Sequence, residues 1–161
     1  MDIVRVAALV LATVTTGLVA GLFYGFAISV LIAMRGVDDR TYVEVNQRIN
    51  RDIQNGPFFL IFLGSVLFSA VAAALLLGGD RGSVLLPAAL GFVLNLVAFL
   101  VTGGGNVPLN KQLEAAGQAA DPTAVRRRYE VPWTRLNTVR TVLHLGAFGA
   151  LCWALVAFGA S

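Results

Sequence analysis

The chain alternates between long uncharged apolar runs and polar stretches rich in arginine. Four runs approach or exceed the roughly 20 residues needed to cross a bilayer as a helix: residues 6–34, 57–77, 84–102 and 139–159. They lack the strong alternation of polar and apolar faces expected of a soluble domain of this size. The first run is too long for a signal-peptide core and lacks a cleavage region, so it is expected to remain as a spanning helix. At about 1.5 Å per residue it exceeds a hydrocarbon core of about 30 Å and must tilt or protrude. The expected fold is all-α: an integral membrane four-helix bundle, one domain over residues 1–161, with an additional amphipathic helix.

That extra helix is read from residues 38–55, where Tyr42, Val45, Ile49 and Ile53 recur at helical spacing and the remaining faces are polar. It is expected on the cytoplasmic face, with Asn46 and Asn50 on a solvated side. Asn55-Gly56-Pro57 marks a helix start, and residues 78–82, Gly-Gly-Asp-Arg-Gly, mark a short turn between antiparallel neighbours. Gly103-Gly104-Gly105 is expected to end the third spanning helix, and Pro108 to fix a local turn. Gly17, Gly21 and Gly25 form a small-residue stripe suited to close helix packing.

Hydrophobic residues make up 57% of the chain and charged residues 13%, which confirms the membrane class. Arg35, Arg40, Arg48, Arg51, Lys111, Arg126, Arg127, Arg128, Arg135 and Arg140 fall on one side of the expected bundle; Arg5 and Arg81 fall on the other. The positive-inside rule then puts both long connections in the cytoplasm and both termini outside it, in the inner membrane of a bacterium. The basic charge is accounted for by topology and anionic headgroups, and no nucleic-acid motif is present. Membrane lipids are expected partners, and a homo-oligomer is compatible with the chain.

The polar residues inside the apolar runs are few. Asn137, Arg140, Thr141 and His144 fall at i, i+3, i+4 and i+7, one polar stripe leading into the last helix. His144 is the only histidine. Intramembrane ionisable residues are costly, so a site is one reading of the stripe; the other is that Arg140 snorkels to lipid phosphate while His144 bonds a neighbouring helix. Measured from the cytoplasmic helix ends, His144, Asn95, Ser65 and Tyr24 lie at similar depths, which predicts one polar layer with a contribution from each helix. Asn106, Asn110 and Trp133 are expected at the membrane surface beside it. One histidine and one cysteine, Cys152, supply no conventional zinc site or paired haem ligands, so no cofactor is expected.

The patterns N-V-P-L-N-x-x-L at Asn106 to Leu113 and W-x-x-x-N-x-x-R at Trp133 to Arg140 resemble the anthrone oxygenase-like family of small integral membrane proteins. The resemblance implies a cofactor-independent oxygenase that acts on an anthrone or another hydrophobic aromatic molecule in a polyketide pathway. It makes His144 the candidate base, with Arg140, Asn137 and Asn110 as candidate holders of an oxyanion. Trp133, Phe92 and Phe99 become candidate walls for a flat substrate, with Tyr24, Asn95 and Asn106 as further contacts. Two other readings remain open: a non-enzymatic accessory subunit, and a lipid- or quinone-binding protein without chemistry.

Overall fold

A computed structural model describes residues 2–77, 82–117 and 121–160. Five helices account for nearly all of them: α1 Asp2–Met34, α2 Asp39–Asp52, α3 Gly56–Leu76, α4 Gly82–Ala115 and α5 Pro122–Gly159. All but α2 are long and apolar enough to cross a membrane. In the bundle α3 neighbours α1 and α4, and α5 closes the ring between α4 and α1. An outward belt of apolar side chains, among them Leu18, Leu60, Leu67, Leu90 and Val142, is the surface that lipid would cover. The expected turn at 78–82 lies almost wholly outside the described residues.

Local chemistry sets several of the boundaries. Asp38 caps α2 by accepting a hydrogen bond from the Thr41 N–H, and Asn55 caps α3 by accepting one from the Phe58 N–H, with Pro57 in the first turn. Asp121 starts α5 in the same way by accepting from Thr123 N–H.

Two expected boundaries are corrected. α4 does not stop at the triple glycine: a π-helical turn, Thr102–Asn106, carries it on to Ala115. Pro108 lacks an N–H, and its ring opposes the carbonyl four residues back. In the wider turn Val107 N–H reaches back five residues to Thr102, which relieves this conflict without ending the helix. The stretch beginning at Trp133 is likewise no loop, because α5 runs unbroken through Pro132. At about 1.5 Å per residue, α4 and α5 are longer than a hydrocarbon core requires, and their extra turns pack with α2 into a cap.

The interior is layered. Leu9, Ala12, Leu76, Val84, Ala88 and Leu151 fill the end nearest the termini. Leu31, Met34, Tyr42, Leu113, Tyr129 and Trp133 fill the cap. Close approach rests on individual glycines. A Cβ on Gly91 would sit 2.7 Å from Leu151, and one on Gly17 would sit 2.8 Å from Phe148. Gly21 and Gly25 meet nothing, so the expected stripe reduces to its first member. The solvated side expected for α2 is also corrected: Asn46 and Asn50 are buried with Tyr42 and Val43. The helix is covered by the extended ends of α4 and α5, which an isolated surface helix would lack.

Candidate functional site

Between the two apolar layers lies a polar one. Asn95 Nδ2 donates to Thr16 Oγ1 (2.9 Å), to the Ser65 carbonyl (3.1 Å) and to Ser69 Oγ (3.4 Å). A carbonyl can only accept, so the amide nitrogen is fixed on that side and Asn95 Oδ1 faces His144 Nδ1 at 3.0 Å. His144 therefore carries its proton on Nδ1, leaving the Nε2 lone pair free. Nε2 is buried and has no hydrogen-bond partner. All four spanning helices contribute to this layer, and His144 is fully buried within it. Tyr24 is outside the layer, 48% exposed on the outer surface. Its place is taken by Thr16, which sequence reasoning missed; Thr16 and Phe23 are seven residues apart and share one helix face.

Toward α2, Arg140 is 6% exposed and pairs with no carboxylate among the described residues. Its Nε and Nη2 donate to Asn137 Oδ1 at 3.2 and 2.9 Å. The guanidinium lies 3.9 Å from the Phe23 ring centre and 5.2 Å from that of Trp133. Removing a charge from water costs several kcal/mol, and each cation–π contact returns only about 0.5–2 kcal/mol. Nη1 makes no hydrogen bond, so an uncompensated cation with an open donor remains. The snorkelling reading is thus corrected for Arg140, which is turned into the bundle and away from the surface.

Arg140 lines a cavity of about 480 Å³ between α1, α2, α3 and α4, with Trp133 and Arg140 supplied by α5. Phe23, Phe26, Phe58 and Phe62 form aromatic walls, and Asn50, Gln54, Thr102 and Asn110 add polar groups. Asn110 Oδ1 accepts from Trp133 Nε1 (2.7 Å) and Tyr129 Oη (3.1 Å), which leaves its Nδ2 as a donor at the cavity wall. Trp133 is buried by this bond and does not sit in an exposed interfacial belt. Both π turns, Phe26–Val30 in α1 and Thr102–Asn106 in α4, contribute residues to the same cavity or adjoin it. Such turns concentrate at functional sites because they re-aim side chains and leave room beside the helix.

The remaining sequence candidates fall around this centre. Asn137 is fully buried, with Nδ2 unpartnered. Asn106 is buried in the π turn, and neither its Oδ1 nor its Nδ2 has a partner. Phe99 packs on Phe62 at 5.5 Å, behind the wall. His144 also lies behind the wall: Phe23 and Phe62 line the cavity and stand 5.5 and 6.5 Å from the imidazole, ring centre to ring centre. The phenylalanine walls were illegible in advance because phenylalanine is ordinary in any membrane core. Among the described residues, no three His, Cys, Asp or Glu side chains come together as metal ligands would.

The fold and this centre define a class: a small helical membrane protein with a buried, cationic, aromatic-walled cavity. The family model for anthrone oxygenase matches residues 58–150, more than half of the chain, and the protein belongs to that family. No curated protein and no solved structure matches the chain.

Proposed function

We propose that the protein is a membrane-embedded, cofactor-independent oxygenase that converts an anthrone-like aromatic substrate to the corresponding quinone. The observation that carries this reading is Arg140, a buried cation without a counterion at the edge of an aromatic-walled cavity. A flat ring system would lie among Phe23, Phe26, Phe58 and Phe62. Arg140 Nη1 and Asn110 Nδ2 are preorganised donors for the oxygen that becomes anionic when the methylene proton leaves. His144 Nε2 is the base, oriented by Asn95, and Phe23 or Phe62 swings aside to bring it to the substrate.

The chemistry balances without an external reductant. The methylene C–H bond breaks, its proton goes to Nε2, and its electron pair enters the ring system. The electron-rich carbon reduces dioxygen and forms a C–O bond to give a hydroperoxide after protonation. The second methylene hydrogen leaves as a proton, the O–O bond breaks, and water departs. One oxygen atom stays as the new carbonyl and the other ends in water, so the four-electron oxidation of CH₂ to C=O matches the four-electron reduction of O₂.

The test is turnover of 9-anthrone by purified protein under ¹⁸O₂, followed by anthraquinone absorbance and mass spectrometry. Expected are one dioxygen consumed per quinone and a single labelled carbonyl oxygen. His144→Gln should lower the rate by about 10²–10⁴-fold with binding retained. The covering of His144 by Phe23 and Phe62 supports a second reading, an aromatic or quinone carrier without chemistry. Saturable binding with no protein-dependent turnover would favour the carrier.

A further inference from the structure

The charged side chains on the cavity wall are unequally matched. Arg140 stands at the inner end and Arg51 and Lys111 line the wall nearer α2, against the single carboxylate of Glu114. Arg51 engages that carboxylate at 2.7 Å, which leaves Lys111 without an ion-pair partner among the described residues. The Trp133–Asn110 hydrogen bond sets Trp133 level with Lys111, the next residue along α4. Arg140 is seven residues further along α5, so the two free cations are separated by about 10 Å along the bundle axis. The phenylalanine walls lie between them. A neutral hydrocarbon would match the middle of this cavity and neither end.

We propose that the ligand is an aromatic acid: a flat fused-ring molecule whose reactive oxygen meets Arg140 and whose carboxylate, at the far end, is held by Lys111. This rests on the aromatic-binding reading above and adds the second acidic group. Lys111 is then the specificity-determining residue, selecting among ring systems by charge, while Arg140 serves every substrate. A cationic rim also raises the local concentration of an anionic ligand.

Two probes of nearly equal shape test it: anthraquinone-2-carboxylate and anthraquinone-2-carboxamide. Binding is read from quenching of Trp133 emission in a Trp153→Phe background, in neutral detergent at low salt. The protein with Lys111 intact should bind the carboxylate about tenfold more tightly than the carboxamide, as expected for one charge-assisted contact. Lys111→Met should bring the two affinities together and leave carboxamide binding unchanged. That constant carboxamide affinity also reports a folded cavity. Equal affinities before substitution, or a preference that survives Lys111→Met, would overturn the acid while leaving aromatic binding in place. If neither probe binds, the aromatic-binding reading falls and the acid falls with it.

Discussion

The single histidine owes its chemistry to an asparagine. Asn95 is held by donation to Thr16 and the Ser65 carbonyl, and its oxygen selects the Nδ1–H tautomer of His144. Asn95→Leu should release that selection, and ¹⁵N NMR of the one histidine should show the tautomers mixing. The same substitution leaves buried donors and acceptors unpaired, so stability should fall by about 1–3 kcal/mol in chemical denaturation. Asn110 carries a comparable load, because its oxygen receives both the Trp133 indole N–H and the Tyr129 hydroxyl. Asn110→Leu should cost about 2 kcal/mol or more and expose Trp133 to solvent, read as a red shift of its emission. At this scale the polar candidates could be picked out because polar groups in a lipid-spanning run are rare. Thr16 and the phenylalanines could not, since each has an ordinary structural role wherever it occurs.

At the scale of elements, the π turn of α4 converts glycine and proline from helix breakers into parts of a bent continuous helix. Propensity alone ends the helix at Gly103; the five-residue step from Thr102 to Val107 shows why it continues. Deleting Gly104 should restore ordinary α-geometry and rotate everything after it by about 100°, one residue's share of a 3.6-residue turn. The four spans should survive with unchanged circular dichroism, while quinone binding is lost as Asn110 leaves the wall. Close packing separates the glycines in the same way. Gly91→Ala presses a methyl group onto Leu151 and toward the Ala147 carbonyl and should cost about 1–3 kcal/mol. Gly21→Ala meets nothing and should be neutral or slightly stabilising in the same melt. The small-residue spacing in the sequence was visible; which glycines touch a neighbour depends on helix rotation, which spacing alone does not set. The amphipathic character of α2 was equally visible, but its buried asparagines follow from a cap that only the extended α4 and α5 supply.

For the whole molecule, the sorting of ten basic residues to the α2 side and two to the other supports a cytoplasmic α2 cap, with the termini opposite. A cysteine added after Ser161, in a Cys152→Ser background, should react with an impermeant maleimide in intact cells; labelling only after lysis would invert the orientation. The cap has its own acid sensitivity. Hydrogen bonding from Thr123, with help from Arg126, holds the Asp39 carboxyl below its ordinary 3.8, and bonding from Thr41 does the same for Asp38. A lowered carboxyl stabilises the fold above its unfolded value and loses that contribution as pH falls through the lower one. Amide exchange in α2 should therefore be unchanged above about pH 4 and accelerate below it, ahead of the spanning helices.

The lone guanidinium at the centre of the bundle also ties folding to supply. An anion that settles against Arg140 binds the folded chain and not the unfolded one, so it adds stability by mass action, about 2.7 kcal/mol at a hundredfold excess over its Kd. Cells that make the ligand would then hold more of this protein than cells that do not, at equal rates of synthesis, because the empty bundle is the form most open to proteolysis.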